Sequence, residues 1–160
     1  MTADIITKEI TLKAPLDRVW SAISEAEEFG QWFGMRFDSP FEAGQTITGR
    51  IVPTSVDARI ADSQKPYEGL SFSFQIGEIV PKSLFSFSWH PYAIDRSVDY
   101  SSEPMTLVVF TLKPIDDSVH LTITESGFDA IPLARRAAAF AANSGGWDAQ
   151  TRLIEAYLAR

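Results

Sequence analysis

The chain has 160 residues, close to the size of one domain, and 45% of them are apolar, enough to build one sizeable core. Twenty-one acidic against 14 basic side chains leave a net charge of −7, which argues against nucleic acid or an anionic membrane surface as a partner. The lack of cysteine excludes disulfides, thiolate nucleophiles, cysteine-ligated zinc and iron–sulfur clusters.

The opening MTADIITKEI carries charges where a signal peptide needs an apolar run of roughly 7–15 residues. No stretch approaches the roughly 20 apolar residues of a membrane helix. A cytoplasmic chain without membrane insertion is therefore expected. No repeat, linker or low-complexity segment divides it, so residues 1–160 are read as a single domain.

Ile5–Lys13 alternates, with Ile6, Ile10 and Leu12 on one face and Thr7, Glu9 and Thr11 on the other, which predicts a strand. Pro15 is well tolerated at a first helical turn, and Leu16, Val19, Trp20 and Ile23 then recur at helical spacing. A second short helix is expected over Glu25–Trp32, ending near Gly34. From Phe37 to Ser126 the text reads as strand and turn. Thr46–Val52 is one strand, and the polar Pro53–Pro66 is read as an extended loop or ragged hairpin. Leu70–Val80 puts Phe72, Phe74, Ile76 and Glu78 in one phase, and Leu84–His90 does the same for Phe85, Phe87 and Trp89. Met105–Lys113 is apolar on both faces, as in a covered central strand, and the next strand sets Val119, Leu121, Ile123 and Glu125 on one side. Leu133 onward predicts one long helix carrying Trp147, Ile154 and Leu158 on one face; Gly145-Gly146 leaves open whether it runs through or breaks. The whole reads as α+β: an antiparallel meander wrapped around a long C-terminal helix, with two short helices after the first strand.

Several local motifs occur in that order: Ala14-Pro15-Leu16-Asp17-Arg18-Val19-Trp20, then Trp32-Phe33-Gly34, then Pro40-Phe41-Glu42-Ala43-Gly44. Ile79-Val80-Pro81, Leu84-Phe85-Ser86-Phe87-Ser88-Trp89, Leu121-Thr122-Ile123-Thr124-Glu125-Ser126-Gly127-Phe128 and Gly145-Gly146-Trp147 complete them. With these the chain resembles the START/Bet v 1-like (SRPBCC) superfamily, in the branch named after the activator of the Hsp90 ATPase. The resemblance covers essentially the whole chain. It implies a helix-grip fold with a hydrophobic cavity between helix and sheet. It also implies relatives that differ widely in role: lipid carriers, hormone receptors, cyclases and a co-chaperone domain, some of them paired through sheet edges or loops, which leaves a homodimer open.

The candidate ligand-binding set is Trp32, Phe72, Phe74, Phe87, Trp89, Tyr92, Arg96, Glu125 and Trp147. The aromatic members would line a slot for a planar or acyl ligand, since pockets are mostly apolar with few polar anchors; the alternative is that they only pack sheet against helix. Glu125 shares the phase of three apolar residues, so an inward carboxylate is expected at the end of its strand. It could anchor a ligand hydroxyl or amine, act as a general acid or base with a raised pKa, or bond an arginine or backbone N–H groups. His90 is the other residue able to move protons, and with Glu125 it makes the short list of catalytic candidates. The loop His90–Pro104 reads either as a lid, with Tyr92, Arg96 and Tyr100 selecting the ligand, or as a surface connection.

Two histidines and no metal-ligand spacing point to no metal, and no phosphate or dinucleotide motif occurs in context, so no cofactor is expected. The expected partner is a small hydrophobic or aromatic molecule, bound without catalysis. A cyclase or dehydratase working in the same cavity and a co-chaperone-like interaction module are the alternatives.

Overall fold

The computed structural model describes residues 4–160, so the first three residues of the charged opening lie outside it. Strand β1 spans Ile6–Leu12, with both ends buried and Thr7, Glu9 and Thr11 exposed, as the alternation requires. Helix α1 (Leu16–Ser24) follows Pro15 and buries Val19, Ala22 and Ile23. Helix α2 (Ala26–Phe33) buries Phe29, Trp32 and Phe33 and stops at Gly34, whose φ of 91° is the left-handed conformation glycine takes most readily.

The strands are β2 (Met35–Phe37), β3 (Thr46–Ile51), β4 (Ser71–Val80), β5 (Leu84–Trp89), β6 (Thr106–Ile115) and β7 (Ser118–Ser126). They form one antiparallel sheet in the order β1-β7-β6-β5-β4-β3-β2. Helix α3 (Ala58–Gln64) interrupts the strands, and the long helix α4 (Leu133–Leu158) closes the chain and packs on β1, α1 and α2. The curved sheet grips α4, an α+β helix-grip fold.

The space between sheet and helices is filled with rings. Phe29 lies at its centre, with ring centroids 4.7 Å from Trp32, 4.8 Å from Phe33 and 5.4 Å from Phe41. Phe74 and Phe87, from neighbouring strands, stack at 4.5 Å. Each such ring removes on the order of 150–250 Å² from water, so this cluster is the main apolar stabilisation of the fold.

Three local expectations need correction. Pro53–Pro66 is not an extended loop: Asp57 Oδ1 accepts from Ile60 N at 3.0 Å and caps α3. That helix buries no residue, so it leaves no apolar periodicity to read. Met105–Lys113 is covered on one face only, since β6 buries Thr106, Val108, Phe110 and Leu112 while Leu107 on the outer face is 42% exposed. Glu78 is not inward. A bulge shifts the β4–β5 register between Ile76 and Ile79 and turns Glu78 out, with Glu78 N donating to Ser86 Oγ at 2.9 Å. A side chain at Gly77 would collide with that Ser86 oxygen at 2.5 Å. At the glycine pair, where the sequence left both readings open, α4 runs unbroken through Gly145-Gly146.

Candidate functional site

Strand alternation carries Val119, Leu121, Ile123 and Glu125 to the same face of β7, and all four are buried. Glu125 stands opposite Val108 on β6 and Ile6 on β1, and is 0% exposed. A carboxylate there costs several kcal/mol unless its oxygens find partners. Four side chains supply them. Oε2 accepts from Trp89 Nε1 at 2.8 Å and Thr106 Oγ1 at 2.6 Å, and Oε1 accepts from Trp147 Nε1 at 2.8 Å. Asn143 Nδ2 donates to both oxygens, at 2.9 and 3.0 Å.

Trp89 and Thr106 face each other across the β5–β6 ladder, while Asn143 and Trp147 sit one turn apart on α4. The node therefore ties the sheet to the gripped helix. Indole N–H and amide NH₂ only donate, which matches an acceptor-only ionised carboxylate. Among the described residues no arginine, lysine, histidine or backbone N–H bonds this carboxylate.

The two indoles held this way lie 6.0 Å apart, and Phe33 lies 5.9 Å from each. Together with Asn143, Gly146 and Gln150 they line a slot of about 60 Å³. Gln150 Nε2 donates to Phe33 O at 3.1 Å, a carbonyl at the end of α2 that also accepts from Gln64 Nε2. Gln150 Oε1 is buried, and no donor among the described residues reaches it.

The other candidate residues lie elsewhere. Trp32, Phe74 and Phe87 are fully buried packing residues, and Trp32 Nε1 donates to Ala22 O at 2.8 Å. Phe72 is half-buried against Trp89 and, with His90, Arg96 and Tyr100, lines a separate polar groove of about 420 Å³ under the β5–β6 loop. His90 Nε2 lies 3.0 Å from Glu103 O, and no hydrogen bond joins it to Glu125. Arg96 donates to Glu68 O, and Tyr92 is exposed at a φ of 52°.

Arg135 at the start of α4 holds that loop. It pairs with Glu103 at 2.8 Å, donates to Pro91 O and Tyr92 O, and lies 4.8 Å over the Tyr100 ring. Within the loop, hydrogen bonds from Ser97 hold Asp95 below its ordinary pKa, and those from Ser101 do the same for Asp99.

A larger open groove of about 920 Å³ lies outside the grip, beside α2 and β2, with Glu25, Gly30, Arg36, Asp38 and Phe41 in its wall. A hydrogen bond with Glu28, then burial and the charges of Glu28 and Glu27, push Glu25 up from its ordinary value. Sequence reading missed this groove. It also missed Phe33, Thr106, Asn143 and Gln150. The last two carried a signal: Asn143, Gly146, Trp147 and Gln150 share one helical face.

The family described as activator of Hsp90 ATPase homolog 1-like protein matches residues 13–159. No curated protein sequence matches the chain significantly. Among solved structures, a protein from Arthrobacter aurescens aligns with a TM-score of 0.74 at 14% identity, over 98% of this chain and 87% of its own. The Aha1 dimer from Colwellia psychrerythraea aligns at 0.69 and 14% identity, over 99% of this chain and 96% of its own. DynU16, a protein of the dynemicin biosynthetic locus, aligns at 0.69 and 20% identity over 98% of this chain, which spans only 48% of DynU16. At these identities the likeness concerns the fold alone. The family match over residues 13–159, together with the sheet that grips α4, makes this chain a member of the activator of Hsp90 ATPase homolog 1-like family.

Proposed function

We propose that the chain binds a small molecule, without transforming it, at the slot between α4 and the sheet. The carrying observation is the Glu125 node, which fixes two tryptophan rings and Asn143 beneath an opening on one helical face. An apolar or aromatic body would pack on Phe33, Trp89 and Trp147, with a polar end beside Asn143 and Gln150. The slot of about 60 Å³ takes one end of such a molecule. The rest would lie along α4 at Gly146, where an added Cβ meets nothing within 4 Å.

Catalysis is less well supported. A reaction needs at least two groups converging on a substrate. Here the oxygens of Glu125 already accept from protein donors, and His90 is held at Glu103. The fold is also compatible with a co-chaperone-like role, and the dimer among its structural neighbours offers a precedent for pairing with a second copy.

The test begins with native mass spectrometry of the purified protein and denaturing extraction of whatever accompanies it. Tryptophan fluorescence is then titrated with indole and with naphthol, in the unmodified protein and in Gly146→Leu. Saturable quenching that weakens at least about tenfold in the variant is expected. A clean mass together with no saturable binding of either probe overturns the reading.

A further inference from the structure

The slot has one electrostatic sign. Gln150 Nε2 is committed to Phe33 O, which fixes the amide orientation and leaves the buried Oε1 as an acceptor that no donor among the described residues reaches. Asn143 directs its NH₂ at Glu125, so its carbonyl oxygen is the other acceptor on that helical face, again with no donor among the described residues. Trp89 and Trp147 turn their positive N–H edges toward Glu125. Their ring faces present the negative part of the quadrupole, which attracts cations.

Behind them lies the Glu125 carboxylate, held by neutral donors only. The nearby Lys8 is neutralised by Asp148 at 3.0 Å. The chain as a whole carries −7. An anionic ligand end would meet carbonyl oxygens and ring faces, with the Glu125 carboxylate behind them. A neutral hydroxyl could satisfy one acceptor. A cationic donor would satisfy both and gain from the rings as well.

Donor capacity narrows the choice further. A quaternary ammonium has no N–H to give to these acceptors, whereas a primary ammonium has three. We infer that the slot selects ligands whose buried end is a primary ammonium group carried on an apolar or aromatic body. The inference rests on the binding reading above and names the ligand class for it.

Benzylamine, benzyl alcohol and benzoate share one ring and differ in charge and donor capacity. Their binding is compared by tryptophan fluorescence and by chemical-shift titration of the Gln150 side-chain amide, at neutral pH, where the amine is protonated. Benzylamine is expected to bind at least about tenfold more tightly than benzyl alcohol, with benzoate weakest. Gln150→Met removes the acceptor at similar length and should collapse that preference, and Gln150→Glu should widen it. The series on the unmodified protein decides by itself if a variant fails to fold. Equal binding of amine and alcohol, or tightest binding of benzoate, overturns the ammonium inference and leaves the binding site standing. Saturable binding of none of the three, with indole and naphthol also silent, overturns both.

Discussion

Asn143 on α4 reaches both oxygens of Glu125 on β7 with one amide nitrogen, at 2.9 and 3.0 Å. This bond joins the gripped helix to the sheet at a point where no cation among the described residues neutralises the carboxylate. Two substitutions at this position separate charge from shape. Asn143→Leu removes the donor and leaves Glu125 three partners, at a cost of about 1–3 kcal/mol. Asn143→Asp sets a second carboxylate against a buried one and should cost about 3–5 kcal/mol. Urea unfolding at neutral pH measures both. Equal stability of the two variants would mean that Glu125 does not carry its charge in the folded protein.

The paired glycines make opposite predictions for stability and for binding. Both lie inside α4, and an added Cβ meets no atom within 4 Å at either. Alanine is favoured over glycine in a helix interior by about 0.5–1 kcal/mol. Gly145→Ala and Gly146→Ala should therefore each raise the melting temperature by a few degrees, on the order of 2–4 °C per kcal/mol in a chain of this size. Only Gly146 lines the slot, so only Gly146→Ala should weaken indole binding. Weakening by both substitutions to the same degree would point to a change in the helix rather than in the slot.

The sheet and the gripped helix were legible because one face of nearly every strand is apolar. Period-two alternation then sets the phase, and it turned Glu125 inward correctly. The same rule failed at Glu78, two residues past Ile76, because a bulge between Ile76 and Ile79 resets the phase and nothing in the composition announces it. Helix α3 escaped because it buries no residue fully and turns only Ile60 toward the core, too little for a period to show; its one sign was Asp57 in the capping position. At the site, the inward carboxylate was readable and its partners were not. Trp89, Thr106, Asn143 and Trp147 converge only once β5, β6, β7 and α4 are in register. Whether an aromatic-rich interior leaves room for a ligand depends on ring packing, such as the Phe74–Phe87 stack, and not on how many rings there are.

Arg135 predicts how the β5–β6 loop behaves. Its guanidinium meets Glu103, two backbone carbonyls and the Tyr100 ring, so its loss leaves a half-buried carboxylate and two carbonyls without partners. Arg135→Gln should cost about 1–3 kcal/mol. Hydrogen exchange should accelerate most at the amides of Val98 and Glu103, whose acceptors Asp95 O and Tyr100 O belong to the same loop. Acceleration spread evenly over the sheet would show that Arg135 supports the whole fold and not this loop in particular.

Tyr157 predicts the alkaline limb of the stability profile. Its hydroxyl donates to Glu28 Oε1 at 2.8 Å, and Arg18 bonds the same oxygen at 3.0 Å. Burial, then the hydrogen bond and charge of Glu28, outweigh Arg18 and raise the phenol above its ordinary 10.0. The unfolded chain loses this proton first as pH rises, so it binds fewer protons than the folded state there. The contribution is thus complete below about pH 10 and declines as pH climbs through the higher folded value. Tyr157→Phe keeps the ring and removes both the bond and the titration. It should cost about 1–2 kcal/mol near neutral pH, where the bond is to a charged acceptor. The gap between the two proteins should then close as pH passes above 10, the ordinary phenol value. Urea unfolding on both sides of that value measures it, and a gap of constant size would place the alkaline loss on another group.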